Sequence, residues 1–192
     1  IPEKVLRINK LIAQKYKVNT VVPKTKKEAL KYVPGFFKGV NEGFRNLYGF
    51  TELNEKQIRY YTDAYFNFAK PELLCFLTDE NDEVVGFGIC FPSLSKAFQK
   101  AKGRLFPFGF IHILKALRNY DEIDLYFNGV MPEWQHKGIH SLYYVAMNEI
   151  AIARKVKWAY STGQLETNIN AVGIWDNYEK EPYFRTRCYI KE

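Results

Sequence analysis

Cysteine is scarce in this chain. Its 192 residues hold three, Cys75, Cys90 and Cys188, an odd number set in apolar, strand-like surroundings. That argues against a disulfide frame and for core thiols in a reducing compartment, which places the protein in the cytoplasm. Histidine is as rare. His112, His136 and His140 have no cysteine or histidine cluster around them, so a zinc site is not indicated. Long apolar runs are missing too. The longest, "LFPFGFIHIL" at 105–114, is too short to span a bilayer, and no signal peptide precedes it. There is no dense run of basic residues; "KTKK" at 24–27 comes nearest. Repeats and low-complexity stretches are absent.

What remains is aromatic and mildly basic. The chain has 15 Phe, 14 Tyr and 3 Trp, and 28 basic against 21 acidic residues give a net charge of +7. The aromatics serve as core and as walls for a ligand or partner. The charge favours anionic partners such as phosphates, nucleic acid or an acidic membrane. Its basic residues are scattered and carry no nucleic-acid-binding signature, so a nucleic-acid module ranks last among the functional readings. The chain opens on Ile1. It was therefore processed or is a piece of a longer protein, and residues 1–18 then read as a connecting helix or N-terminal extension.

The periodicities alternate between helix and strand. "NTVV" at 19–22 is a short strand. A helix begins after Thr25, with Glu28 three residues on as a capping box, and Pro34 kinks or breaks it. Residues 53–70 read as a second helix stopped by Pro71. "ELLCFLTD" and "EVVGFGICFP" flank an acidic turn near 80–83 and form a hairpin. Alternation puts Val85, Phe87, Ile89 and Phe91 on one face of the second strand. Val84, Gly86, Gly88 and Cys90 fall on the other, and glycine at two alternate positions means close packing against the backbone. Residues 93–119 are a helical insert, 122–130 a strand, and 157–165 another. Ile139, Leu142, Tyr143, Ala146, Met147 and Ile150 form the apolar face of a helix. "NAVGIWDNY" is a short helix and "FRTRCYIK" at 184–191 a last strand. The order is mixed: α+β or α/β around one sheet, with 19–192 as one domain carrying the 93–119 insert.

One junction has chemical meaning. A strand ends at Val130, a polar loop follows, and Gly138 opens a helix. Free N–H groups and the positive end of the dipole at that point suit a phosphate, with His136 and Lys137 adding charge and Gly138 admitting close approach. A glycine in such a place also serves plain turn chemistry.

The run V-M-P-E-W-Q-H-K-G-I-H, Val130 to His140, resembles the signature of the GCN5-related N-acetyltransferase (GNAT) superfamily. There V-x-P precedes Q/R-x-x-G-x-G/A. Val130, Pro132, Gln135 and Gly138 match, and His140 departs from the family's Gly or Ala. Downstream, Asn168, Ala171, Ile174 and Trp175 are similar to the family's N-x-x-A-x-x-L-Y. The resemblance covers 72–192 well and 19–70 loosely. It implies a mixed sheet flanked by helices and acetyl-CoA, or another acyl-CoA, as cofactor. The pyrophosphate would lie on the loop from Val130 and Met131 through Gln135, His136, Lys137, Gly138 and Ile139 to His140. It implies that Asn168 and Trp175 adjoin the cofactor. Trp175 stands where the family often has an acidic Tyr, and its indole is no practical acid; Tyr178, three residues on, is the substitute. Asp124, six residues before Val130, matches a catalytic base of some family members, with Glu122 in reserve on the same face. A solvent-facing or Lys-paired strand carboxylate is the other reading of Asp124. The resemblance further implies an oxyanion donor among the amides near Val130 or Met131 and a bulge that Gly129 permits. Transfer in the family is direct, so no cysteine nucleophile is needed.

The function expected is acyl-CoA-dependent N-acyl transfer to an amine, with residues 25–70 and 93–119 choosing the acceptor. Residues 104–117 also suit an acyl site, a membrane surface, a core helix or packing against an upstream domain. The alternative is a catalytically degenerate domain of the same fold, retained within a larger tandem protein.

Overall fold

The computed structural model describes residues 1–66, 68–187 and 189. They divide into two compact units, 1–160 and 161–192.

The first unit is built on a sheet with strand order β1-β2-β3-β4-β5. The strands are β1 (Asn19–Val21), β2 (Leu74–Thr78), β3 (Val84–Pro92), β4 (Glu122–Val130) and β5 (Trp158–Ser161). The first four pair antiparallel in sequence order. The β2–β3 hairpin closes on Asp79, whose carboxylate accepts the amides of Asn81 and Glu83 at 2.9 Å. β5 arrives by a helical crossover and starts beside the start of β4, where the Lys157 amide donates to the Asp121 carbonyl at 2.7 Å. That is the geometry of a parallel neighbour, and it makes the sheet mixed.

Strand alternation sends two cores to opposite faces. On one side α2 (Lys26–Phe44) lays Phe36, Phe37 and Val40 on Phe76, Phe87 and Ile89. On the other, α6 (His140–Ala153) lays Leu142, Tyr143 and Met147 on Cys75, Leu77 and Cys90. Helix α1 (Glu3–Tyr16) adds Ile12, Ala13 and Tyr16 to this second core. The Thr25 hydroxyl caps α2, accepting from the Glu28 amide at 3.2 Å.

Several expectations change. Helix α2 runs unbroken through Pro34, because six buried side chains, from Ala29 to Val40, clamp it against the sheet on both sides of the lost hydrogen bond. The helix expected over 53–70 is shorter. It is α3 (Glu55–Tyr61), whose Asn54–Gln57 capping box was not anticipated, followed by a π-helical turn over Thr62–Phe66. α3 buries no side chain, so little holds the regular helix beyond its first turns. The insert divides into α4 (Ser95–Ala101) and α5 (Gly109–Arg118). On β3 the expected faces exchange at Val84 and Val85. Leu77 faces Gly86 but Thr78 faces Val84, so Val85 is an extra residue and shifts the phase. Val84 joins the α2 core and Val85 the α6 core.

Gly88 shows why that strand is lean. A Cβ there would lie 2.3 Å from the Tyr143 ring. Helix α6 sits directly on the glycine.

In the second unit, α7 (Ile169–Gly173) and a 3-10 turn (Ile174–Asn177) stand for the expected short helix. Residues 184–187 form no strand. Cys188, Ile190 and Lys191 of the expected last strand lie outside the described residues.

Candidate phosphate loop and strand carboxylate

The end of β4 is anchored on both sides. The Met131 amide donates to the Val85 carbonyl at 2.9 Å, and Met131 is buried. Pro132–Trp134 then form a 3-10 turn. Gln135 folds back, its Nε2 donating to the Val130 carbonyl at 3.3 Å. These contacts fix where the loop leaves the sheet.

The loop then changes hand twice. His136 has φ 60° and Gly138 φ 74°, with ordinary residues between and after. Alternation of left- and right-handed residues gathers successive N–H groups into a concavity suited to an anion. Among the described residues, none of the amides of His136 through His140 donates a hydrogen bond. They open the 14-residue α6, where unpaired N–H groups and the helix dipole combine. Buried Ile139 holds the turn down. At Gly138 a Cβ would be strained by its φ and would approach Ile12 of α1 to 3.3 Å.

Charge near the loop is held rather than loose. Lys137 Nζ lies 4.4 Å from the Trp134 ring centre and 5.8 Å from that of Tyr16. His140, the first residue of α6, packs edge-on against Tyr144 with ring centres 6.4 Å apart. Its ring is partly exposed, and the protein around it lowers its pKa below the ordinary histidine value by desolvation.

The expected bulge is displaced. Gly129 pairs regularly with Phe87. Its lack of a side chain serves packing instead, for a Cβ would come within 2.8 Å of the Phe87 ring. The irregularity is at Tyr126: Phe127 faces Ile89, but Leu125 already faces Cys90. Tyr126 and Phe127 therefore share the α2 face, Tyr126 against Phe91 at 5.3 Å and Phe127 against Phe36 at 6.3 Å.

The expected Met131 amide is unsuitable as an oxyanion donor, being already bonded to Val85. Antiparallel pairing alternates, so the amides of Val130 and Asn128 point to the other edge of β4. With the strand starts aligned, the four residues of β5 reach only about the middle of β4. The edge carrying those two amides thus lies past the end of β5.

The two carboxylates differ in surroundings. Glu122 is 6% exposed and bonded to Lys96 of α4. Asp124 is half-buried on the α2 face, opposite Phe91, and it has no basic partner among the described residues. Desolvation raises its pKa above the ordinary carboxylate value. The adjoining Ser93 hydroxyl opposes that shift and the Glu122 charge adds to it. Tyr65, Phe91 and Tyr126 form an aromatic wall beside this stretch, with centres 5.3 to 6.4 Å apart. Neither this wall nor Ser93 was singled out from the sequence; the aromatic spacing of 60–66 was the available signal.

No family model matches the chain. Over 158 residues it is 24% identical to Protein YghO of Escherichia coli; the stretch covers 79% of the chain but 40% of YghO, so the chain spans well under half of that relative. Solved structures agree with it over most of its length. PH1933 from Pyrococcus horikoshii superposes with a TM-score of 0.60 at 15% identity, covering 88% of this chain and 92% of that one. A ribosomal-protein-alanine N-acetyltransferase from Brucella melitensis gives 0.53 at 10% identity, covering 91% and 99%. The chain has the GNAT fold. Within that fold the residues from Val130 to His140 occupy the strand-to-helix loop described above, and Asp124 the preceding strand.

The remaining residues belong to the second unit. The Asn168 side chain caps α7, accepting from the Ala171 amide at 3.3 Å. Trp175 and Tyr178 stack edge-on with ring centres 5.8 Å apart.

Proposed function

We propose that the chain is an acyl-CoA-dependent N-acyltransferase that passes an acyl group, acetyl in the simplest case, directly to an amine. The observation that carries this is the run of unengaged amides from His136 to His140 at the start of α6, shaped by two positive φ angles. A scaffold has no use for such a concavity. Its amides suit a pyrophosphate, and Gly138 is the one residue there whose side chain would be strained and crowded. The Brucella neighbour is named as an N-acetyltransferase, in keeping with this reading.

Bound acyl-CoA supplies a thioester carbonyl that an amine can attack. The chain's own residues divide the remaining work. The loop amides hold the diphosphate, and Gln135 keeps the loop on β4. The amides of Asn128 and Val130 face the carbonyl oxygen along the edge past β5. Asp124, with Glu122 neutralised by Lys96, accepts the proton of the ammonium through water. As the C–N bond forms the C–S bond breaks, and CoA leaves as a thiolate that takes the nitrogen's second proton through solvent. Along a strand, Val130 lies about 20 Å from Asp124 and Asn128 about 13 Å, so Asn128 is the better placed donor. Neither Cys75 nor Cys90 takes part. Burial pushes the Cys90 thiol up to about 12 and Cys75 higher still, far from a usable thiolate. Asn168, Trp175 and Tyr178 enter this proposal through their motif alone.

Titration of the chain with acetyl-CoA and CoA by calorimetry tests it, with Gly138→Trp alongside. Micromolar binding that Gly138→Trp abolishes supports the reading and leads to an amine screen with Asp124→Asn as control. A folded wild-type chain that binds neither ligand overturns it. That result would favour the degenerate-domain reading, which has an observation of its own: α1 leaves Leu6, Ile8 and Leu11 exposed, as a packing face would.

A further inference from the structure

The insert between β3 and β4 meets the carboxylate site at its base, where Ser93 adjoins Asp124 and Lys96 pairs with Glu122. Beyond Lys96 it has no part in that site or the loop. Residues 93–119 contain no acidic residue, yet carry Lys96, Lys100, Lys102, Arg104, Lys115 and Arg118. A solvated surface helix of ordinary make-up mixes both signs. Here the insert's own charge is single-signed; Lys96 is paired with Glu122 at the base, and Lys100, Lys102 and Arg104 lie next to an apolar tip.

That tip is exposed. Phe106 is 79% and Phe108 70% accessible, and Leu114, Leu105 and Ile111 are each about half accessible. Helix α5 buries none of its residues and packs chiefly on α4. An apolar surface of this kind is uncommon on a free monomer and marks a binding face. Between the helices lies an open hollow of about 500 Å³ lined by Lys100, Lys102, Arg104, Phe106, Phe108 and His112. Its lining combines cationic side chains with aromatic rings.

We propose that the α4–α5 hairpin seats the protein on an anionic lipid surface, with Phe106 and Phe108 in the headgroup–acyl boundary and the hollow holding a lipid phosphate. Aromatic and aliphatic groups buried to a shallow depth, ringed by lysine and arginine, are the features of interfacial elements. The hairpin lies on the surface and does not cross it. α5 has ten residues, and no helix among the described residues is long and apolar enough to span a membrane. A protein partner would have to match neighbouring cationic and apolar groups with acidic groups beside an apolar socket, whereas an anionic bilayer presents both at once.

Co-sedimentation of the full chain with phosphatidylcholine vesicles, with and without phosphatidylglycerol, tests this. Binding is expected with phosphatidylglycerol, weak without it and reversed by high salt. Phe106→Ser/Phe108→Ser is expected to weaken it by about tenfold or more. Lys100→Glu/Lys102→Glu should weaken it by a similar factor. Circular dichroism confirms that each variant is folded, and either pair alone suffices if the other misfolds. Binding that ignores phosphatidylglycerol, or that survives both pairs of substitutions, overturns the proposal. So does a chain that binds no vesicle but forms a dimer dissolved by Phe106→Ser/Phe108→Ser, which would make the tip a protein interface.

Discussion

Asp124 and Glu122 stand two residues apart on β4, and their neighbours give them different chemistry. Glu122 has a lysine; Asp124 has Phe91 opposite, a serine hydroxyl and partial burial. Burial disfavours the carboxylate, so Asp124 holds its proton to a higher pH in the folded chain than in the unfolded one. The sign of its linkage follows. Its contribution to stability is full below the ordinary carboxylate pKa and is lost as pH rises through the raised value. At neutral pH the ionised group is a cost. Asp124→Asn should therefore leave the midpoint of thermal unfolding at pH 7 unchanged or raise it, while the advantage vanishes in acid. As the base, Asp124 must be ionised, so kcat/KM should fall in acid at a pH above the ordinary carboxylate range. Asp124→Asn should lower it by about a hundredfold or more. An enzyme indifferent to Asp124→Asn, with an unchanged pH profile, would remove Asp124 from the mechanism.

Among the elements, the contact of α6 with β3 positions the phosphate loop. The ring of Tyr143 fills the space above Gly88, and the loop amides of His136 to His140 lead into that same first turn of the helix. Adding a methyl at Gly88 forces the ring, 2.3 Å away, to move. Gly88→Ala should destabilise the chain by about 2 kcal/mol through overpacking. It should also weaken CoA binding, because α6 and its free amides shift together. Chemical denaturation of Gly88→Ala, Tyr143→Leu and the double variant checks it. Relief of the Gly88→Ala penalty in the Tyr143→Leu background is the expected outcome. Additive losses would show that ring and strand are not coupled. The lean face of β3 was legible in the alternating glycines, and α6 in its apolar spacing. The irregularities at Val85 and Tyr126 were not. Each is one extra residue admitted by pairing with a neighbouring strand, and local periodicity carries no mark of it. The break after Tyr61 was hidden for a related reason, since helix signals continue to Pro71 while α3 buries no side chain and Phe66, beyond the break, is buried in the α2 core.

At the scale of the molecule, one sheet separates two apolar cores, and the cysteines report on the space between. The fold was legible largely because loop signature and element order agree, whereas the division at 160 falls inside a predicted strand and had no compositional sign. Cys75 is wholly buried and Cys90 nearly so, each on the α6 side of a central strand. Neither strand can expose its thiol without parting from α6, and α6 cannot leave while the hairpin keeps Tyr143 on Gly88. Thiol modification should thus require the first unit to unfold as a whole. Denaturant titration with a pulse of thiol reagent, read by mass spectrometry of Cys75- and Cys90-containing peptides, is expected to give one midpoint for both, coincident with loss of helical circular dichroism. Labelling of Cys90 well before Cys75 would show instead that β3 and the insert open locally, and that the phosphate loop rests on a less rigid base.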